Sequence, residues 1–121
     1  LFLDTFPYNA HTTASDALRM GLPVLTCMGQ SFASRVAASL LKAVNLSELI
    51  TVTQDKYETL AIDLATHPEK LKTIKEKLAN NLPTSPLYDS KLFTGHLEAA
   101  YLTMHNRCRK KLNPDDIEIE L

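Results

Sequence analysis

Neither sign of charge dominates this sequence: 13 lysines and arginines stand against 14 aspartates and glutamates, a formal net charge of −1 over 121 residues. Proteins that hold nucleic acid present a clear basic excess, so nucleic acid is not the expected partner. Cysteine is scarce as well. Cys27 and Cys108 lie far apart and match no metal-ligand or disulfide-framework spacing, which reads as two reduced thiols in a reducing compartment. No run comes near the roughly 18 consecutive apolar residues of a membrane span, and the start lacks the charged stretch and apolar core of a secretory signal. No membrane partner is expected, and the expected location is cytoplasmic. Acids are nowhere paired at metal-binding spacing on a loop, and His96 and His105 are nine residues apart on one predicted helix, too far for a shared metal. Internal repeats and low-complexity segments are also lacking.

With 45% hydrophobic residues the chain can bury an ordinary core for one small domain. Residues 1–4 read as a short buried strand, and residues 14–20 as a helix that Gly21 stops before Pro23. Residues 23–26 read as a second buried strand and 28–31 as the loop beyond it. Ser31 then fits the N-cap of a helix on which Phe32, Val36, Leu40 and Val44 recur at helical spacing. Residues 45–48 turn into a third strand, 49–52, and Thr53 caps a helix with Tyr57, Leu60, Ala61 and Leu64 on one face. Such alternation favours parallel β-α-β units, so the fold class is α/β, a parallel sheet flanked by helices. His67-Pro68 breaks the third helix and starts another, since proline fits only a first turn and its predecessor avoids helical backbone. Leu71, Ile74 and Leu78 form the apolar stripe of that helix, and Lys70, Lys72, Lys75 and Lys77 its solvated face. Residues 80–86 make a proline-marked connector and residues 90–110 the longest helix. The chain thus divides into a 1–111 lobe and a 112–121 acidic tail.

The densest group of chemically capable side chains is Asn9-Ala10-His11-Thr12-Thr13-Ala14-Ser15-Asp16, on the crossover from the first strand to the first helix. In open α/β sheets ligands bind beyond the carboxyl ends of the strands, and the N–H groups at a helix start attract phosphate. Two readings fit the spacing. Thr13-x-x-Asp16 forms a capping box in which each side chain satisfies the other's orphan N–H. Alternatively, Thr12, Thr13 and the backbone grip a diphosphate while Asp16 takes a ribose. The geometry of a helix start is the same in either case. Gly29 and Gln30 lie on the next loop at the same sheet edge, where a backbone without a side chain can approach a ligand closely.

Three linked motifs then carry a resemblance: Leu1-Phe2-Leu3-Asp4-Thr5, Asn9-x-His11-Thr12-Thr13-x-x-Asp16-x-Leu18-x-x-Gly21-x-Pro23-Val24-x-Thr26, and Ala33-Ser34-Arg35-Val36-Ala37-Ala38-Ser39-Leu40. Together they resemble the C-terminal catalytic region of O-linked N-acetylglucosamine transferases, the SPINDLY-related glycosyltransferase family 41, including its bacterial members fused to tetratricopeptide repeats. The resemblance runs from Leu1 to about Lys111 and takes in Ser85-Pro86-Leu87-Tyr88 and the final helix.

That resemblance implies the C-terminal half of the second Rossmann-like lobe of a two-lobed GT-B glycosyltransferase, ending in a long helix that crosses back to brace the first lobe. It implies UDP-N-acetylglucosamine (UDP-GlcNAc) as donor and a serine or threonine of a protein as acceptor. By the same resemblance Thr12 and Thr13 bind the phosphates, Asp16 the ribose, and His11 the diphosphate, the sugar or its own loop. Gly29 and Gln30 complete the donor-binding set, although the family usually has an acid where Gln30 stands. No metal or other cofactor is implied, because N–H groups, hydroxyls and cations can meet the charge on the leaving diphosphate. The general base and the uracil contacts lie upstream in the family, so no catalytic residue is expected here. The expectation is a fragment cut from a longer chain, inactive alone, with the first lobe and tetratricopeptide repeats as its partners. Its last helix should leave an apolar face open to self-association. A GDP-fucose donor, a UDP-GlcNAc 2-epimerase-like isomerase and a non-catalytic nucleotide-binding scaffold stay open as alternatives.

Overall fold

Val24, Leu25, Thr26 and Cys27 are all buried, as a strand covered on both faces must be, and they form the central strand β2 (Val24–Cys27) of a parallel sheet. On one side β1 (Phe2–Leu3) sets Phe2 opposite Val24 and Leu3 opposite Leu25. On the other, β3 (Ile50–Thr51) sets Ile50 opposite Thr26 and Thr51 opposite Cys27. The computed structural model describes residues 1–119, and the sheet belongs to the first of its two compact units, Leu1–Leu87. The outer strands are shorter than their apolar runs suggest, because the chain leaves the ladder at Asp4 and Val52 to build loops at the sheet's C-terminal edge.

Helices α1 (Thr12–Arg19), α2 (Val36–Ala43) and α3 (Gln54–Thr66) all pack on β2, and α4 (Pro68–Asn81) packs on α3. Leu18, Val24, Leu41, Val44, Leu46, Leu49, Leu64 and Leu78 join in one buried cluster. Each such leucine taken from water stabilises the fold by roughly 1.5–3 kcal/mol, so this cluster is what holds the helices on the sheet.

Helix ends follow one device. Gly21, at φ +74°, donates its N–H to Leu18 O at 2.9 Å while Leu22 donates to Ala17 O at 2.9 Å, the paired bonds of a Schellman ending. Asn45, at φ +57°, ends α2 in the same way, with bonds to Lys42 O at 3.0 Å and from Leu46 to Leu41 O at 2.8 Å. The last carbonyls of α2 are then taken by side chains at and just beyond the end of α4: Asn81 Nδ2, on its last residue, donates to Val44 O at 2.8 Å and Ser85 Oγ to Ala43 O at 3.1 Å. Ser85 is thus a clasp between the ends of two helices.

Three local expectations are corrected. α1 begins at Thr12, with His11 in the N-cap place and no side-chain cap. The Thr13–Asp16 capping box is therefore not formed, and Asp16 falls beyond the first turn. Ser31 precedes a 3-10 turn, Phe32–Ser34, and α2 starts only at Val36; the Ser31 hydroxyl lies 3.0 Å from Ser34 Oγ instead of capping a helix N–H. The connector after α4 is a pair of 3-10 turns, Leu82–Thr84 and Pro86–Tyr88. Other readings stand: Thr53 accepts the Lys56 N–H at 3.3 Å, Pro68 opens α4, and the lysine face is solvated, with Lys70 on Asp63 and Lys77 on Glu48.

The second unit begins at Tyr88 and is dominated by α5 (Ser90–Arg109). Asp89 caps it by accepting the Leu92 N–H at 2.9 Å, and Lys111, at φ +54°, closes it with bonds to Cys108 O and from Leu112 to Arg107 O. Arg107 then binds Asn113 O at 2.8 Å and reaches Asp115 at 3.4 Å, tying the first part of the tail to the helix. The last two residues of the 112–121 tail lie outside the described residues. Among the described residues no helix is long and apolar enough to cross a membrane.

Candidate functional site

Asp4, where β1 ends, organises the C-terminal edge of the sheet. It is only 3% exposed. Its Oδ1 accepts the N–H of Thr5 at 2.9 Å and of Ala10 at 2.7 Å, and its Oδ2 accepts the Thr26 hydroxyl at 2.6 Å. A carboxylate buried this deeply persists only with its lone pairs engaged. The loop it closes is knit further by Thr5 Oγ1 donating to Tyr8 O at 2.7 Å and Asn9 Nδ2 to Thr5 O at 3.0 Å. Asn9 also donates its N–H to Ala33 O at 2.9 Å, which brings this loop against the one after β2. From α3, the Tyr57 hydroxyl donates to Asp4 O at 2.9 Å. Burial, and then the neighbouring Asp4 and Cys27, raise the Tyr57 phenol above its ordinary range.

At the far end of that loop stands the head of α1. The first helical bond is Ser15 N–H to His11 O at 3.1 Å, so the N–H groups of Thr12, Thr13 and Ala14 lie ahead of the ladder. With no side-chain cap from His11 they carry the positive end of the helix dipole, which favours an anion. Thr12, Thr13 and Asp16 are exposed. His11 is half-buried between two rings, stacked on Tyr8 with centroids 5.0 Å apart and edge-on to Phe32 at 6.0 Å. Its Nε2 is buried without a hydrogen-bond partner among the described residues, as is Asn9 Oδ1. This is the arrangement of a ring held in place from both sides with one nitrogen unspent.

Gly29 and Gln30 lie on the neighbouring loop, as expected, and line a cavity of about 450 Å³ together with Phe6, Pro7, Val52 and Thr53. The structure therefore gathers the predicted residues on one edge in two places: His11, Thr12, Thr13 and Asp16 at the head of α1, and Gly29 and Gln30 in the cavity beside it. Gly29 owes its lack of a side chain first to packing, since a β-carbon there would collide with Ser34.

Spacing gives several residues that shape this edge no role in it: Tyr57 and Phe32 fall on helical faces, Thr26 in a buried strand, and Tyr8 in no motif. Asp4 carried a signal: an acid ending an apolar run that must be a buried strand has to find donors.

Comparison with known proteins places this fold in a family. The description of glycosyl transferase family 41 matches residues 1–97. A Hordeum vulgare protein described as a probable UDP-N-acetylglucosamine-peptide N-acetylglucosaminyltransferase, SPINDLY, is 41% identical over 105 residues, which are 87% of this chain and 11% of that protein. An Arabidopsis thaliana protein of the same description, SEC, is 36% identical over 107 residues, 88% of this chain and 11% of its own length. Among solved structures, a mutant of the Thermobaculum terrenum O-GlcNAc transferase superposes with a TM-score of 0.79 at 37% identity, covering 90% of this chain and 21% of that one. The chain therefore spans a small share of the relatives it matches, and within that share it belongs to glycosyl transferase family 41, as its linked motifs implied.

Proposed function

We propose that this chain forms the part of a glycosyltransferase that holds the diphosphate and ribose of UDP-GlcNAc, whose sugar passes to a serine or threonine of an acceptor protein. The observation that carries the proposal is the head of α1, where Thr12 and Thr13 stand exposed in the first turn of an uncapped helix at the C-terminal edge of a parallel sheet. The relatives' descriptions supply the sugar, the nucleotide and the peptide acceptor.

As the bond between the anomeric carbon and the diphosphate breaks, negative charge grows on the leaving oxygen. The N–H groups and hydroxyls of Thr12 and Thr13 stabilise that charge where it develops. Asp16, one turn along α1, accepts hydrogen bonds from the ribose hydroxyls. His11 offers Nε2 to the diphosphate or sugar, with Tyr8 and Phe32 holding the ring. Gly29 and Gln30 border the donor from the next loop. The scheme calls on no metal ion. Removal of the acceptor's proton is assigned to no residue of this chain; a first lobe supplies it, and tetratricopeptide repeats present the acceptor in the cytoplasm.

Calorimetric titration of the complete protein with UDP, UDP-GlcNAc and GDP-fucose tests the reading. Replacing Thr12 and Thr13 together by alanine should weaken UDP by about a hundredfold, the loss of one to two hydrogen bonds to a charged group. Unchanged affinity removes them from the site.

A further inference from the structure

We infer that Asp4 is a positioning residue for the donor's diphosphate: its buried carboxylate, clamped by Thr26, sets the loop that presents His11, Thr12 and Thr13. The inference rests on the reading of that helix start as the diphosphate grip. Asp4 is too deeply buried to touch a ligand there, so its effect must pass through the backbone.

The route is explicit in the hydrogen bonds. Thr5 N–H and Ala10 N–H converge on one oxygen, Oδ1, at 2.9 and 2.7 Å. Their convergence closes the intervening loop into a ring, and the next residue after Ala10 is His11. The second oxygen is fixed by Thr26 at 2.6 Å, and Thr26 O in turn accepts the Thr51 hydroxyl at 2.9 Å. With Tyr57 on the Asp4 carbonyl, β2 and α3 bond directly to this residue and β3 joins them through Thr26. Bonds to a carboxylate are about twice as strong as neutral ones, and a binding constellation must be held to within about 0.5 Å to be productive. Without the carboxylate, two N–H groups lose their acceptor, and only the bonds from Thr5 Oγ1 to Tyr8 O and from Asn9 Nδ2 to Thr5 O are left to hold the loop. Residues on β2, β3 and α3 that never meet the donor would then influence its affinity.

The test is UDP affinity of the complete protein by calorimetry, at a temperature where circular dichroism shows every variant folded. Asp4→Ala should weaken UDP at least about tenfold and Thr26→Val by several-fold, the scale of one lost hydrogen bond to a charged group. Asp4→Asn should retain most of the affinity, because its amide oxygen still accepts both N–H groups and its nitrogen donates to the Thr26 hydroxyl. A merely structural role lowers the melting temperature and leaves the affinity of the folded protein where it was. The Ala10 amide proton reports the ring directly: it should resonate far downfield in the parent and move upfield in Asp4→Ala. If folded Asp4→Ala and Thr26→Val bind UDP normally while the Thr12→Ala/Thr13→Ala protein does not, the inference fails and the diphosphate reading stands. If the double threonine variant also binds normally, both fail. Should Asp4→Ala not fold, Thr26→Val decides alone, and unchanged UDP affinity overturns the inference.

Discussion

A β-carbon on Gly29 would stand 2.5 Å from Ser34 Oγ and 2.8 Å from Ser34 Cβ, so the glycine exists because Ser34 already fills that space. Ser34 cannot easily yield: it is buried, its Oγ donates to Ser31 O at 2.9 Å, and its carbonyl accepts the Gly29 N–H at 2.9 Å. Gly29→Ala should therefore destabilise the protein by about 1–3 kcal/mol. Adding Ser34→Gly should recover part of that loss, a non-additivity expected of residues in contact. Thermal denaturation of the four proteins checks it, and strictly additive losses would show that the clash is relieved elsewhere.

Gly21 presents the opposite case. Nothing lies within 4 Å of a β-carbon there, and only its φ of +74° resists substitution. Gly21→Ala should cost about 1 kcal/mol from left-handed backbone alone. Gly21→Asn should cost less, since Asn45 already fills the same place at the end of α2. Chemical denaturation that ranks alanine level with asparagine would count against the backbone explanation.

Tyr57 makes stability depend on alkaline pH. Its phenol is raised above its ordinary range of about 10, by burial first and by Asp4 and Cys27 next. A group raised in the folded state contributes stability that is complete below the ordinary value and is lost as pH climbs through the folded one. Tyr57→Phe should lose about 1 kcal/mol near neutrality with the bond to Asp4 O, and the gap to the parent should close above pH of roughly 10. Denaturation midpoints at neutral and alkaline pH decide; a constant gap would mean the hydroxyl is not the titrating element.

Asp63 behaves in the other direction. The hydrogen bond from Lys70, at 2.7 Å, is the main cause that holds its carboxyl below the ordinary range, with the charges of Lys70 and His67 adding to it. Its contribution is present above the ordinary value of about 3.9 and is lost as pH falls through the lowered one. Lys70→Met should move the Asp63 carboxyl resonance to titrate at higher pH, with little change in stability at neutrality, as befits a surface pair. An unmoved titration would mean that His67 alone sets it.

Much of this was legible in the sequence because it is written in local terms. Gly21 before Pro23, Thr53 before a polar turn and His67-Pro68 each act on their own backbone, and each marks a helix end where it stands. The helix start at Thr12 was less legible. Thr13-x-x-Asp16 satisfies the spacing rule for a capping box, but Asp4, several residues upstream, already holds the loop, so the helix begins earlier and the box is left unformed. Likewise Ser31 has the right residue type for a cap, yet its hydroxyl is drawn to Ser34.

What the sequence determined by itself is the order of strands and helices along the chain, the apolar runs and stripes that call for a parallel sheet flanked by helices, and the family to which the linked motifs belong. Those follow from side-chain periodicity and turn chemistry, which need no knowledge of distant partners. Tertiary structure alone decided which donors reach Asp4, that Tyr8 and Phe32 hold His11 between them, and that Gly29 yields its side chain to Ser34. Such contacts join residues on different strands and loops, and only the packing of the sheet edge brings them within the few ångströms over which hydrogen bonds and steric repulsion act.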